Sequence, residues 1–504
     1  MANAAKVFAV GDAVLGDVEG VLKRKGLAYR KITLDEKLAL FMEIAAERMA
    51  QNLGLVFSDL KPYITDFVGF GPSIYEHHHT MDVAKRASFL GLTGVELHSV
   101  DLGGASTPAA LEIARKLCAN EERLVLIAGS EVPRGGDGGV KYYREVSDAL
   151  LDADRELHTQ ANLISLYALL ADRLMFEDAV TTGDIESITT YYRNRAVGNE
   201  RAAMYGKHLK DGELKRYLAG PYATAMVAVA TDHGVAILVA NDNYLKKLEE
   251  KLGFSTAKKS LYINAVGTNY ADKYLTRRPD FSSPGKKAAE RAFARLGITP
   301  GDIDYAWVYD CFTLMLVRQA ADYFGVSPAA AAKTLAEGFI ETAGKKILIN
   351  RQGGILNTQA AISLSASTGL IDIFDYAAEH PEAKHFLFGG NGGIDCVNSV
   401  AVLSRESLEY RNTVLPPATV QGLAELEITE GMPATLYAAA TVKFNPGADT
   451  PFTLGAFRDR SGNLFLARIC NADLTAHLDV TDLVRDKTRA TIRFVDNKPI
   501  AVLD

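Results

Sequence analysis

The stretch Val100–Ala114, VDLGGASTPAALEIA, decides how this sequence folds. The residues ahead of it, GVELHSV, are apolar and β-branched, as a strand requires. Gly103 and Gly104 make a turn, and Ser106, Thr107 and Pro108 open a helix. Serine is a favoured helix cap, and proline is tolerated in the first helical turn. A helix N-terminus carries unpaired N–H groups and the positive end of a dipole, so a turn placed there suits an anion or a nucleophile. The residue at the turn is Gly104, which has no side chain.

Outward from this stretch, Lys6–Val10, Ile64–Gly69 and Leu124–Ala128 read as strands and Val83–Leu90 as a helix. Asp35–Leu53 is an amphipathic helix, with Leu38, Phe41, Ala45, Met49 and Leu53 at helical spacing. The pattern then starts again. AERMAQNLGLVFSDL, from Ala46, matches AERAFARLGITPGDI, from Ala289, at an offset of 243 without a gap. Ala105, Ser106 and Thr107 return as Ala366, Ser367 and Thr368 at an offset of 261, and the strand RLVLIAG then pairs with KHFLFGG. The preserved order of elements predicts an internal duplication of α/β units, each half with a mixed or parallel sheet.

Between the halves, residues from about 145 to 220 are helical and charged and read as an inserted cap. Strands are expected at Ala223–Val229 and Val235–Ala240, around a turn that holds His233. Beyond Pro416 and Pro417 the composition shifts to short strands: Thr435–Phe444, Phe452–Arg458, Asn463–Cys470, Ala490–Val495 and Pro499–Leu503. They predict a small all-β barrel, OB-like in character. The expected division is 1–257 for the first half with its cap (about 132–220), 258–408 for the second half and 418–504 for the barrel.

Composition narrows the function. Across 504 residues, 48% hydrophobic and 23% charged content describe a globular chain of two or three domains. A net charge of −7 argues against a nucleic-acid surface. No apolar run reaches a membrane span, and no secretory signal opens the chain. Cys118, Cys311, Cys396 and Cys470 are scattered without a CxxC spacing, which points to reduced thiols in the cytoplasm and to no structural metal site. His77, His78 and His79 are consecutive and would alternate in direction on a strand, so they make a poor metal site; one of them facing a cavity as a proton donor is the sharper alternative. RGGDGGVK lacks the Gly-Lys-Ser/Thr ending of a phosphate loop and reads as a plain glycine-rich loop. GGNGG, Gly389–Gly393, reads as close backbone approach, with N–H donors able to hold an acyl carbonyl.

Over about residues 1–405 the sequence resembles the thiolase superfamily, and most of all its sterol-carrier-protein-type members. The likeness rests on VDLGGASTPAALEIA, TDHGVAILVA, PGDIDYAWVYDCFT, NRQGGILNTQAAISLSASTGL and LFGGNGGIDCVNSVAVLSRE. It implies a duplicated five-layer α/β/α/β/α core and a pocket for acyl-CoA. It also implies pairing of chains through the strand Gly94–Val100, or with a thiolase-like subunit. The positions that carry acyl transfer in the family are changed here. Gly104 stands at the nucleophilic cysteine, Tyr309 at the histidine of His-Asp-Cys-Phe, Ser363 near the histidine of Gly-His-Pro, and Phe388 or Gly389 near the acid/base cysteine.

The residues expected to line the pocket are Gly103, Gly104, Ser106, Tyr309, Asp310, Ser363, Gly390, Asn391 and Gly392. Ser106 is also read as the helix cap, and Cys311 and Cys396 as buried small residues with a weaker claim to reactivity. The expectation is a catalytically altered thiolase relative that binds acyl-CoA or partners an active thiolase, with no cofactor beyond a coenzyme A thioester as ligand. The alternative is an acyltransferase, C–C lyase or decarboxylase that works without an acyl-cysteine.

Overall fold

The computed structural model describes residues 4–70, 81–119, 121–134, 139–256, 260–411, 426–445, 448, 450–471, 483 and 485–504. The histidines at 77–79 lie outside them. The first half contributes strands β1 (Ala5–Val14), β2 (Asp66–Phe70), β3 (Glu96–Val100) and β4 (Leu124–Glu131). A short hairpin follows, β5 (Tyr217–Ala219) and β6 (Tyr222–Ala223), and then β7 (His233–Asn241). The second half contributes β8 (Leu261–Tyr270), β9 (Tyr305–Trp307), β10 (Phe339–Thr342), β11 (Lys345–Ile349), β12 (His385–Gly392) and β13 (Val397–Ser404). These core strands form one eleven-stranded sheet in the order β10-β11-β9-β12-β13-β8-β1-β7-β4-β2-β3. The halves join where Lys6 and Val7 of β1 face Tyr262 and Leu261 of β8.

The duplication expected from the offsets is built into the sheet. The order β1-β7-β4-β2-β3 is mirrored by β8-β13-β12-β9-β11. The helices Ser106–Cys118 and Ser367–Glu379 each have 13 residues, and β4 and β12 each have 8. Both pairs keep the 261-residue displacement, from 106 to 367 and from 124 to 385.

Three apolar cores separate five layers. The helix Leu34–Gln51 packs Phe41, Met42, Ala45 and Met49 on the outer face of the first half. The two 13-residue helices lie between the sheet halves, where Ala110, Leu111 and Ala114 meet Leu370, Ile373 and Trp307. The helices Gly285–Leu296 and Thr313–Phe324 cover the far face, and their core runs on into the cap helices Leu163–Asp178 and Thr182–Val197.

The C-terminal strands β14 (Pro433–Val442), β15 (Phe452–Arg458), β16 (Leu464–Cys470), β17 (Arg489–Val495) and β18 (Lys498–Leu503) close into a barrel. Its order is β15-β16-β18-β17-β14, with β14 pairing back to β15 and β16 running parallel to β18. The barrel is tied to the cap, since Ala219 of β5 faces Val442 of β14. The Leu466 N–H also donates to the carbonyl of Arg155 at 2.9 Å.

Two local expectations change. Residues 224–226 form a 3-10 turn after the two-residue β6, so no strand spans 223–229. The chain there crosses between cap and core and makes only single bridges, Val227 to Phe312 and Ala230 to Ala360. His233 is the first residue of β7 and fully buried, with Nε2 3.3 Å from the Asp12 carboxylate. A carboxylate 221 positions away put this histidine inside, which the local turn signal could not register. No helix among the described residues is long and apolar enough to cross a membrane.

The central layer tolerates little extra volume. A Cβ on Gly369 would overlap the indole of Trp307, which is 1% exposed. Gly369→Ala is expected to lower stability by about 1–3 kcal/mol through overpacking. Denaturant titration checks this, followed by the emission of Trp307, the only tryptophan in the sequence.

Candidate functional site

The two central helices begin at the same place, and the turns before them form one wall of a cavity of about 450 Å3. The first turn, Gly103–Ala105, lies against β12. A Cβ on Gly390 would press on the Gly104 carbonyl, and one on Gly392 would collide with the Leu102 carbonyl. Gly103 itself takes φ +53°, a left-handed conformation that glycine adopts without strain. The second turn, Ile362–Leu364, puts a β-branched residue at φ +41° on the cavity wall. Such strain in a side-chain-bearing residue persists only where packing enforces it.

Six of the expected residues line the cavity: Gly103, Gly104, Tyr309, Ser363, Asn391 and Gly392. The other three, Ser106, Asp310 and Gly390, are not on its wall, and neither is Phe388, the position near the family's acid/base cysteine. The Ser106 Oγ accepts from the Leu102 N–H at 2.9 Å, which closes the turn; it does not cap its helix. Asp310 is fully buried and accepts from the Ile355 N–H at 2.8 Å, so it anchors the segment Gly354–Asn357. Burial holds its carboxyl far above the usual carboxylate range. Gly390 serves the close approach described above. Phe388 packs its ring 5.8 Å from Trp307 in the interlayer core.

Tyr309 controls the centre. A Cβ placed on Gly104 would fall inside the envelope of the Tyr309 hydroxyl and of the Asn391 carbonyl oxygen. The phenol therefore fills the volume where a side chain of residue 104 would begin. Burial raises its pKa well above the ordinary value, with Cys311 and Asp310 adding to the shift and a hydrogen bond from Ser365 opposing it. Tyr309 is thus protonated at neutral pH. A phenol hydroxyl can donate its proton to an acceptor in the cavity.

Sequence reasoning did not find the remaining wall. Tyr167 comes from the cap helix Leu163–Asp178, stacks on Phe312 at 4.4 Å and donates to the Gly393 carbonyl at 2.6 Å. Val146, Ala149, Leu150 and Leu163 add apolar surface from the cap. Lys273, Asp101 and Tyr270 stand at the exposed rim, Tyr270 being 63% exposed. No local signal marks a cap residue as pocket-forming when its partner lies more than 140 positions away. Cys311 and Cys396 also face the cavity, but burial raises the pKa of both thiols, the reverse of what activates a nucleophile.

Among the described residues, one set has metal-like spacing: Asp66, Glu96 and His98. It is already filled by Arg123, whose Nη1 is 2.9 Å from Asp66 and 3.1 Å from Glu96.

Two central helices between paired sheet halves, with both helix starts on one cavity, define the architecture, and residues 267–405 match the thiolase C-terminal domain-like family. The fold is that of the thiolase superfamily. A monomeric SCP2-thiolase like protein type 1 from Mycobacterium smegmatis superposes with TM-score 0.70 at 17% identity, over 100% of this chain and 99% of its own. An Ltp2-ChsH2(DUF35) aldolase superposes with TM-score 0.59 at 18% identity, over 80% of this chain and 98% of its own. Among curated proteins, the 17-hydroxy-3-oxo-4-pregnene-20-carboxyl-CoA lyase of Mycobacterium tuberculosis is 26% identical over 193 residues, which is 38% of this chain and 49% of the relative. The chain spans about half the length of the first curated relatives it matches.

This thiolase-like chain has no room for a cysteine at residue 104 while Tyr309 keeps its place. Gly104→Cys is expected to cost about 1–3 kcal/mol by overpacking, and its thiol to react slowly with iodoacetamide. Combining it with Tyr309→Ala is expected to speed alkylation without recovering stability, since the Asn391 carbonyl still crowds the new side chain and the lost phenol leaves a cavity. Thermal melts and the rate of mass gain check both variants.

Proposed function

We propose that this protein binds coenzyme A thioesters in the Gly104–Tyr309 cavity and does not form an acyl-cysteine. One observation carries this reading: the Tyr309 hydroxyl overlaps the position where the Cβ of a residue 104 side chain would stand. The cavity keeps what a thioester needs. Its walls are apolar, the turn at Gly103–Gly104 opens on a helix N-terminus, and a protonated phenol stands ready to donate to a carbonyl oxygen. The two cavity thiols are neutral and unactivated, so neither substitutes for the missing nucleophile.

A second reading is a C–C lyase in which Tyr309 moves a proton at the reacting centre. The phenol's place supports it, and so does similarity to a chain named a lyase and to one named an aldolase. A partner role draws support from the aldolase neighbour, whose title names two components. Among the described residues the edge strand β3 has only β2 beside it, and Leu97 on it is 43% exposed, which suits pairing with a second chain.

We also read the chain as three units, 1–257, 258–408 and 418–504, and the barrel as OB-like. Its third and fifth strands run parallel, and its first strand closes on both the second and the fourth. A cytoplasmic setting fits four cysteines scattered without a CxxC spacing.

Butyryl-CoA at 100 times its Kd is expected to stabilise the protein by about 2.7 kcal/mol, read as a rise in Tm. Intact mass should show no acyl adduct. A stable adduct, or CoA-dependent cleavage of acetoacetyl-CoA, overturns the reading; release of a free ketone or aldehyde from a hydroxyacyl thioester moves it to the lyase.

A further inference from the structure

We propose that the acyl group accepted by this cavity carries a hydroxyl, which donates to the Oδ1 atom of Asn391. The proposal rests on the thioester-binding reading above and names the substrate class of that site.

The argument begins behind the cavity wall, at Asp395. This carboxylate is fully buried, on a residue held at φ +49°. Its Oδ1 accepts from Gln319 Nε2 at 2.9 Å, from Asn398 Nδ2 at 3.0 Å and from Asn391 Nδ2. Its Oδ2 lies 2.8 Å from Arg318 Nε. The backbone beside it is pinned as well, because Arg278 donates to the carbonyls of Ile394 at 2.6 Å and Asp395 at 3.1 Å. A buried charge compensated on this many sides does not rotate away, and hydrogen bonds to a charged acceptor are the strong ones.

The consequence falls on Asn391. An amide has one donor end and one acceptor end. Asp395 takes the donor end, so the acceptor Oδ1 is left to the other side. Its one donor partner there, among the described residues, is the Tyr167 hydroxyl at 3.5 Å. That hydroxyl has a single proton, and the Gly393 carbonyl takes it at 2.6 Å. Oδ1 is therefore an acceptor of a residue 1% exposed, without a good donor, between two residues of the cavity wall. A buried acceptor in that state is costly until a ligand supplies a donor.

Position decides which part of the ligand supplies it. The Asn391 backbone borders Gly104 and Tyr309, at the closed end of the cavity, whereas Lys273 and Tyr270 mark the rim. The acyl group reaches the closed end. Its thioester carbonyl is an acceptor and suits the Tyr309 proton. Oδ1 needs the complementary group, and a keto oxygen cannot provide it. A hydroxyl can.

The test compares four ligands on the full chain by calorimetry: butyryl-CoA, acetoacetyl-CoA, 2-hydroxybutyryl-CoA and 3-hydroxybutyryl-CoA. At least one hydroxy thioester is expected to bind about tenfold tighter than butyryl-CoA, and acetoacetyl-CoA no tighter than butyryl-CoA. Asn391→Ala is expected to bring the hydroxy-to-butyryl ratio to about one, and so is Asp395→Asn, which frees the amide to turn. If Asp395→Asn does not fold, Asn391→Ala decides alone. A hydroxy thioester that binds no better than butyryl-CoA overturns the proposal, as does a preference that survives Asn391→Ala. Binding of none of the four overturns the thioester-binding reading itself, a distinct result.

Discussion

Backbone meets backbone at the centre of this molecule. The turn at Gly103–Gly104 and the strand end at Gly390–Gly392 approach so closely that a methyl group on Gly390 or Gly392 would strike the opposite chain. That contact holds the two sheet halves in register around the starts of the two central helices. It fixes the cavity's closed end, and it leaves one small volume next to Gly104. In this protein the Tyr309 hydroxyl fills it.

The rest of the site follows from that occupancy. A phenol buried beside Asp310 and Cys311 keeps its proton. Asp310, for its part, is spent on the backbone of the segment after Gly353, where Gly354 has no room for a side chain against it. Behind the same wall, the buried Asp395 holds the donor end of the Asn391 amide and the amide of Gln319. Chemistry at this centre is therefore that of hydrogen-bond donors and acceptors held still, with thiols that burial keeps neutral.

The cap and the barrel act on the cavity from outside. The helix Leu163–Asp178 places Tyr167 and Leu163 on the wall, and its other face packs on the barrel strand β14. Arg173 from this helix lies over the Tyr437 ring at 4.0 Å and pairs with Asp486 at 2.8 Å. The small hairpin β5–β6 adds itself to the barrel sheet. Cap position is thus set by apolar contact and hydrogen bonds to a barrel that follows it by more than 200 positions.

The sequence by itself determined the architecture. Helical and strand periodicities and the repeated 243- and 261-residue offsets predicted two α/β halves, and short alternating runs predicted the barrel. These signals are local, because a strand or helix buries a face that its own spacing declares. Gly104 was legible as a turn without a nucleophile for the same reason. What only the tertiary structure decided depends on residues far apart in the chain. Ser106 closes its own turn because Leu102 N–H faces it, and Asp310 accepts from the Ile355 N–H, 45 positions further along the chain. His233 is drawn to Asp12, and Tyr167 reaches Gly393 from a cap helix. Above all, the phenol of Tyr309 reaches across more than 200 positions to fill the space beside Gly104. A sequence lists donors, acceptors and volumes; only packing decides which of them meet.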